Sequence, residues 1–297
     1  MSHAGPFAAA LPREAAAAEY RRGALLVTGA TMVWSSAGLL QRWADTDPWT
    51  TLFWRSVFAA VFLLGYLAAR DGRAMPQSFR RLGWVGVAMA LCFAASMICF
   101  INALSMTTVA AVIVFQAAAP LFAAALAWLA LKERVSPAKL VAILVTVVGV
   151  LVMVSGTREA GRQWGDVLSA LMSLTFAGTV VLARVRPDVP TTESSCLAVL
   201  IVAVASLPFA QMVVPAHDMA LLAVFGFGQM GLALIMFTTG VRLIPSADAG
   251  LISVLESVLA PVWVWLVFDE NPDRNTLIGG AIVVAAVLIA ASRDRRV

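Results

Sequence analysis

The sequence predicts an all-α integral membrane protein, with ten transmembrane helices arranged as two five-helix inverted-topology repeats around a central cavity. Three observations predict it. Of 297 residues, 61% are hydrophobic and 13% charged, where a soluble domain is about half apolar and a quarter charged. Charge-free runs such as "LVAILVTVVGVLVMV" and "LIGGAIVVAAVLIA" have the length and apolarity of bilayer-spanning helices. One pattern of punctuation is also written twice, as "WLALKERVSP" from Trp128 and "WLVFDENPDR" from Trp265, its charged knot basic first and acidic second.

A span needs about 20 mostly apolar residues at ~1.5 Å rise each. Reading between charged or Pro/Gly breaks places ten, at 23–42, 49–69, 82–104, 108–131, 137–155, 164–183, 194–213, 218–241, 246–268 and 275–292. The breaks at "LSMTT" and "VVPAHD" are weakly polar, so nine and eleven are the competing counts. The connections are short and leave no room for an extramembrane domain. Residues 1–22 are alanine-rich, carry both charge signs and lack the form of a secretory signal. They read as a cytoplasmic N-terminal extension, followed by a first repeat at 23–155, a second at 164–292 and a cytoplasmic tail at 293–297.

Lys and Arg orient the bundle. With the N-terminus inside, 16 of the 21 fall on the cytoplasmic side; only Arg42, Arg158, Arg162 and Arg274 fall outside, and Arg55 lies within a span. The positive-inside bias therefore predicts cytoplasmic termini and a multi-pass protein of the bacterial inner membrane. Sliding the chain by 137 residues lays "VAAVIVFQAAAPLFAAALAWLALKERVSPAKL" over "SADAGLISVLESVLAPVWVWLVFDENPDRNTL", matching Ala110 with Ala247, Trp128 with Trp265 and Glu133 with Glu270. A repeat of five spans is odd, so its second copy enters from the opposite side. "KERVSPAK" is then cytoplasmic and basic, "DENPDRN" external and acidic, and the sign change follows from topology. Inverted repeats open a central site to one side and then the other, which is alternating access.

Several function classes are excluded. The formal charge of +4 lies between the apolar runs, so no basic face for nucleic acid exists. His3 and His217 are the only imidazoles, and Cys92, Cys99 and Cys196 lie in or beside apolar spans; they read as packing residues, with no metal and no cofactor expected. Neither "HExxH" nor "GxxxxGK[ST]" occurs, which argues against an enzyme and leaves gradients or a partner as the energy source. The glycines of "GFGQMG" at 226–231 suit close helix contact rather than a dinucleotide loop. The expected partners are a small-molecule substrate and the lipid bilayer, with a monomer sufficient for function. An intramembrane enzyme and a scaffold are the alternative classes.

Candidate binding residues are polar groups inside spans. Arg55 lies about seven residues into the second span; it reads either as a cation for a substrate carboxylate or as an arginine that snorkels to the interface or pairs with carbonyls. Glu256 is near the centre of the ninth span, too deep to snorkel. It reads as a ligand for a substrate ammonium, a proton carrier or a gate, or as a carboxyl hydrogen-bonded to a neighbouring helix. Gln116 falls opposite Ser253 in the repeat alignment, and Ser253 shares a helix face with Glu256 three residues on. Gln229 lies mid-span, while Asn102 joins Ser96, Thr107, Thr108, Thr238 and Thr239 at span ends, where capping and interhelical bonds compete with ligand contact. Trp34, Trp263 and Phe100 are the aromatic cavity candidates, and Pro120 is a candidate gating hinge.

The stretches "FWRSVFAAVFLL", "VIVFQAAAPLFAAALAWLALKERVSP" and "GLISVLESVLAPVWVWLVFDE" resemble the drug/metabolite transporter superfamily, in its ten-helix EamA-type branch. In the third stretch Ser257 stands where the family pattern has proline after the glutamate. The resemblance implies five-plus-five helices around a cavity and a secondary transporter of small organic metabolites. In overall look the chain is similar to the YddG-like amino acid exporters, which implies export of aromatic or other neutral amino acids; drugs, sugars and other metabolites are the alternative cargoes.

Overall fold

The computed structural model describes residues 13–131, 141, 144–145, 147–149, 151–152, 160–244, 246–269 and 274–294, and all regular structure among them is helical. The first helix, α1 (Arg13–Ser35), is separated from α2 (Ala37–Trp43) by one turn residue, Ser36. There the Ser35 and Ser36 hydroxyls donate to the Met32 and Val33 carbonyls, each at 2.7 Å, a back-bonding that bends helices. Helix α1 also starts well before the first expected span. Residues 13–22, expected as an extension ahead of it, are its opening turns, as a run of alanines favours.

Asp47 caps α3 (Pro48–Asp71): its Oδ1 accepts from the backbone N–H groups of Trp49 at 2.9 Å and Thr50 at 3.1 Å. Pro48 stands at the first helical position, where no donor is needed. The helix stops at Gly72, whose φ of 54° favours a residue without Cβ. A short α4 (Met75–Arg80) leads into α5 (Gly83–Met106), and Thr108 caps α6 (Val109–Ala117) by accepting from Ala111 N–H. After a break at Ala118 comes α7 (Ala119–Leu131). The second half contains α8 (Ala160–Val185), α9 (Thr191–Ser206) and α10 (Ala216–Ala223), which continues through a π-helical stretch, Val224–Leu232, into α11 (Ala233–Gly240). Helices α12 (Ser246–Phe268) and α13 (Arg274–Asp294) follow.

Residues 132–139 and 270–273, which hold most of the two oppositely charged loops, lie outside the described residues, as does much of the expected span at 137–155. Six helical segments among the described residues are long and apolar enough to cross a membrane: Ala17–Trp43, Pro48–Arg80, Gly83–Met106, Gln163–Ala183, Thr191–Phe209 and Ala216–Gly240. The α6–α7 pair, bent by 43°, makes a seventh if it is counted as one span. The span expected at 194–213 is shorter than the pattern suggested. Its helix gives way at Pro208, and Gln211 is held by its backbone N–H donating to Thr50 Oγ1 at 2.8 Å, with its carbonyl accepting from Trp54 Nε1 at 3.1 Å.

In lipid, helices associate through packing and small residues rather than through hydrophobic expulsion from water. Large apolar side chains such as Trp84, Leu129, Val204 and Leu266 are accordingly exposed on the outside. The interior joins α3, α5, α9 and the π stretch through Leu52, Leu63, Leu67, Ile101, Val199 and Phe225. A second layer packs α1 on α11 and α12, and α6 on α8, α12 and α13. Gly23 and Gly240 mark the α1–α11 crossing, where a Cβ on either would fall about 3 Å from the other's carbonyl oxygen.

Candidate functional site

Helix α12 carries three of the expected residues on one face: Ser253, Glu256 and Trp263 are three and then seven residues apart, near whole turns of a 3.6-residue helix. The sequence packs this face against two helices. Gln116, in the last turn of α6, donates from Nε2 to Glu256 Oε1 at 2.9 Å. About 10 Å further along α12, Trp263 donates from Nε1 to Ser35 Oγ of α1 at 3.0 Å. Trp34, next to Ser35, packs its ring on Phe237 of α11, centroids 4.8 Å apart.

A second polar pair lies between α3 and the π stretch. Arg55 is 3% exposed, and its Nη2 donates to Gln229 Oε1 at 3.4 Å and lies 3.5 Å from Met230 Sδ. The guanidinium carbon sits 4.6 Å from the centroid of the Phe225 ring, within cation–π range. Arg55 therefore does not snorkel; it is turned into protein. Small residues permit this closeness: Gly226 approaches the Arg55 carbonyl and the Phe58 Cβ so tightly that its own Cβ would lie 2.5 Å from each. Gln229 and Met230, which both reach this nitrogen, lie in the π-helical winding, a feature often found at functional sites.

Sequence reasoning allowed Arg55 and Glu256 to hold the two ends of one molecule. In the structure each meets a different amide, Gln229 and Gln116 respectively. Asn102 donates to the Ile98 carbonyl of its own helix at 2.8 Å, and Phe100 is a partly buried neighbour of the main interior cluster. Pro120 is the second residue of α7, two positions past the break. The hydroxyls at span ends serve structure: Ser96 donates to the Met172 carbonyl at 3.1 Å, and Thr238 to that of Leu234 at 2.8 Å.

Several polar contacts escaped the sequence reading. At the end of the bundle where α2 and α5 finish, Arg42 Nη2 donates to the Thr107 carbonyl at 3.0 Å, and Thr107 Oγ1 donates to the buried Asp166 Oδ1 at 2.9 Å. At the opposite end of α3, Arg70 Nη2 pairs with the buried Glu193 Oε1 at 2.6 Å. Neither "QWGD" nor "TTESS" carries a local signal for this, because each partner lies 59 residues or more away in the chain. Ser35 and Phe225 were missed for the same reason.

A family model described as the EamA-like transporter family matches two stretches, residues 21–155 and 163–292. The chain belongs to the EamA-like transporter family. It is thus a membrane transporter of small metabolites, and Gln116 and Glu256 come one from each matched stretch. A protein named riboflavin transporter, from Brucella anthropi, is 25% identical over 285 residues, spanning 90% of this EamA-like chain and 98% of its own. One crystal structure is 18% identical, covers 92% of this chain and 98% of its own with a TM-score of 0.64, and shows the same fold.

Proposed function

We propose that this EamA-like protein is a gradient-driven transporter of the bacterial inner membrane, moving a small organic metabolite by alternating access at a site between α1, α6 and α12. The observation that carries the reading is the Gln116–Glu256 hydrogen bond. It joins a carboxyl and an amide across two helices from different family-matched stretches, next to a broken helix, which is where transporters of this type place substrate. Ten spans in two inverted five-helix repeats are supported by those two stretches of similar length and by the opposite charge of their corresponding loops. The Lys and Arg distribution supports cytoplasmic termini. Pro120 is the proposed hinge, and Ser253, Trp263 and Trp34 are the proposed remaining wall of the site.

The first substrate reading is riboflavin or a similar planar heterocycle. It is supported by the relative's name and by an amide–carboxyl pair, suited to an imide edge, on the same helix face as an indole. Neutral amino acids, the cargo expected from the sequence, are the second reading, favoured by a buried cation and a carboxyl in one bundle. Efflux from proteoliposomes of fluorescent riboflavin and of radiolabelled tryptophan and phenylalanine, at two pH values, separates the two. Transport of only one class selects its reading, and transport of neither rejects both. Glu256→Gln should abolish the flux or change its pH response; unchanged flux and pH response would remove Glu256 from the site.

A further inference from the structure

The Arg55 locus has a donor excess that helix packing does not explain. Among the described residues, Arg55 Nε and Nη1 have no hydrogen-bond partner, nor has the hydroxyl of the fully buried Ser56, the next residue along α3. The two contacts of Nη2 are to uncharged atoms at 3.4 and 3.5 Å, long for a charge-assisted bond. Gln229, itself buried, spends its amide oxygen on Arg55, which leaves its Nε2 to donate. Among the described residues no carboxylate pairs with Arg55. The Phe225 ring faces the positive charge but supplies no hydrogen-bond acceptor.

Guanidinium stays charged in proteins, and a buried charge is stable only when paired and hydrogen-bonded. The buried polar groups without a partner here all have a hydrogen to give: three N–H groups of Arg55 and the Ser56 hydroxyl. Such a set recognises an anion. One cation in an apolar surround matches one negative charge, because a phosphate dianion would leave net charge inside the span. Burial of Arg55, Ser56, Gln229, Phe225 and Met230 keeps the ligand small.

We propose that Arg55, Ser56 and Gln229 form a binding site for a small monoanion, a carboxylate or an inorganic ion, distinct from the Gln116–Glu256 pair. A carboxylate carried by the transported metabolite and a free anion share this chemistry. Only the first source rests on the transporter reading, since binding is measurable without any flux.

The test is thermal unfolding of the purified full-length protein in detergent, titrated at constant ionic strength with sodium acetate, sodium chloride or the uncharged acetamide, isethionate being the balancing salt. The expected result is a saturable rise in Tm with acetate and none with acetamide. Arg55→Gln should weaken the apparent affinity by roughly 10-fold or more, and Arg55→Lys should retain part of it. A response to acetate alone assigns a carboxylate, and one shared equally with chloride assigns an inorganic anion; both support the site. Equal responses to acetate and acetamide, no response, or an undiminished response in Arg55→Gln would overturn it. Should Arg55→Gln fail to fold, Ser56→Ala and Gln229→Leu must each weaken binding of radiolabelled acetate; unchanged binding in either rejects the site. Acetate binding without transport, or transport without acetate binding, tells the failure of one proposal from that of the other.

Discussion

Gly226→Ala isolates what the close approach of the π stretch to α3 is worth. A Cβ at this position would sit 2.5 Å from the Arg55 carbonyl oxygen, 2.5 Å from the Phe58 Cβ and 3.0 Å from the Ala59 backbone nitrogen. Two of these three atoms are backbone and cannot swing aside. Carbon contacts are favourable only from about 3.5 Å, so the stretch must retreat by about 1 Å. The Arg55–Gln229 bond, already 3.4 Å long, would then pass out of hydrogen-bonding range. Overpacking of this kind costs about 1–3 kcal/mol, which for a chain of this size lowers Tm by roughly 3–10 °C. Gly228, two residues on in the same stretch, has nothing within 4 Å of its would-be Cβ, so Gly228→Ala is the matched control and should leave Tm unchanged or slightly raised. The assay is intrinsic-fluorescence unfolding in one detergent, with tryptophan as the reporter. Equal Tm values for the two alanine variants would refute the argument.

Ser173→Ala removes a buried hydroxyl that donates to the Phe115 carbonyl at 2.6 Å; it should cost about 1 kcal/mol, while Thr175→Ala, on the exposed face, should cost nothing measurable in the same unfolding assay. Trp263→Phe keeps the apolar ring but loses the N–H bond to Ser35; a fall of about 0.5–1.5 kcal/mol and a raised KM for efflux are expected. Glu193→Gln breaks the pair with Arg70 and should destabilise by about 1–2 kcal/mol, less than for a fully buried pair because Arg70 is part-exposed and keeps Asp71. Outside the spans, the Arg186 guanidinium holds the Asp188 carboxyl down to about 2. A depressed carboxyl stabilises above its unfolded value and loses that contribution as pH falls towards 2. The pair is exposed, so Asp188→Asn should leave Tm at neutral pH unchanged at high salt, and a large drop there would contradict the weak-pair argument.

What was legible in the sequence is what local pattern encodes. Apolar length located the six segments long enough to cross a membrane among the described residues, and α12 runs over the expected residues 246–268. The repeat alignment put Gln116 opposite Ser253, one turn from Glu256, and the hydrogen bond from Gln116 to Glu256 is the contact that this equivalence did not itself state. The Arg55–Gln229 pair was not legible, because its members are 174 residues apart and are not partners under the 137-residue shift. The π winding was hidden as well: "VFGFGQMG" reads as a contact surface, and nothing in residue spacing signals one extra residue per turn. Cargo is harder still, since it is set by a few side chains.

The break between α6 and α7 links these elements physically. Pro120 has no N–H to give the Gln116 carbonyl four residues before it, and Ser173 of α8 supplies a donor to the neighbouring Phe115 carbonyl. One residue type removes a helix bond and another, on the adjacent helix, satisfies the acceptor beside it, which is how helix-breaking residues are tolerated at membrane depth. The 43° bend then separates two tasks that a straight helix would couple. The α7 segment stays packed on α8 through Ala123, Ala127, Ala177 and Val181, while the α6 segment carries Gln116 to Glu256. Under the alternating access proposed above, the break is where the Gln116–Glu256 contact could change while α7 keeps its packing on α8.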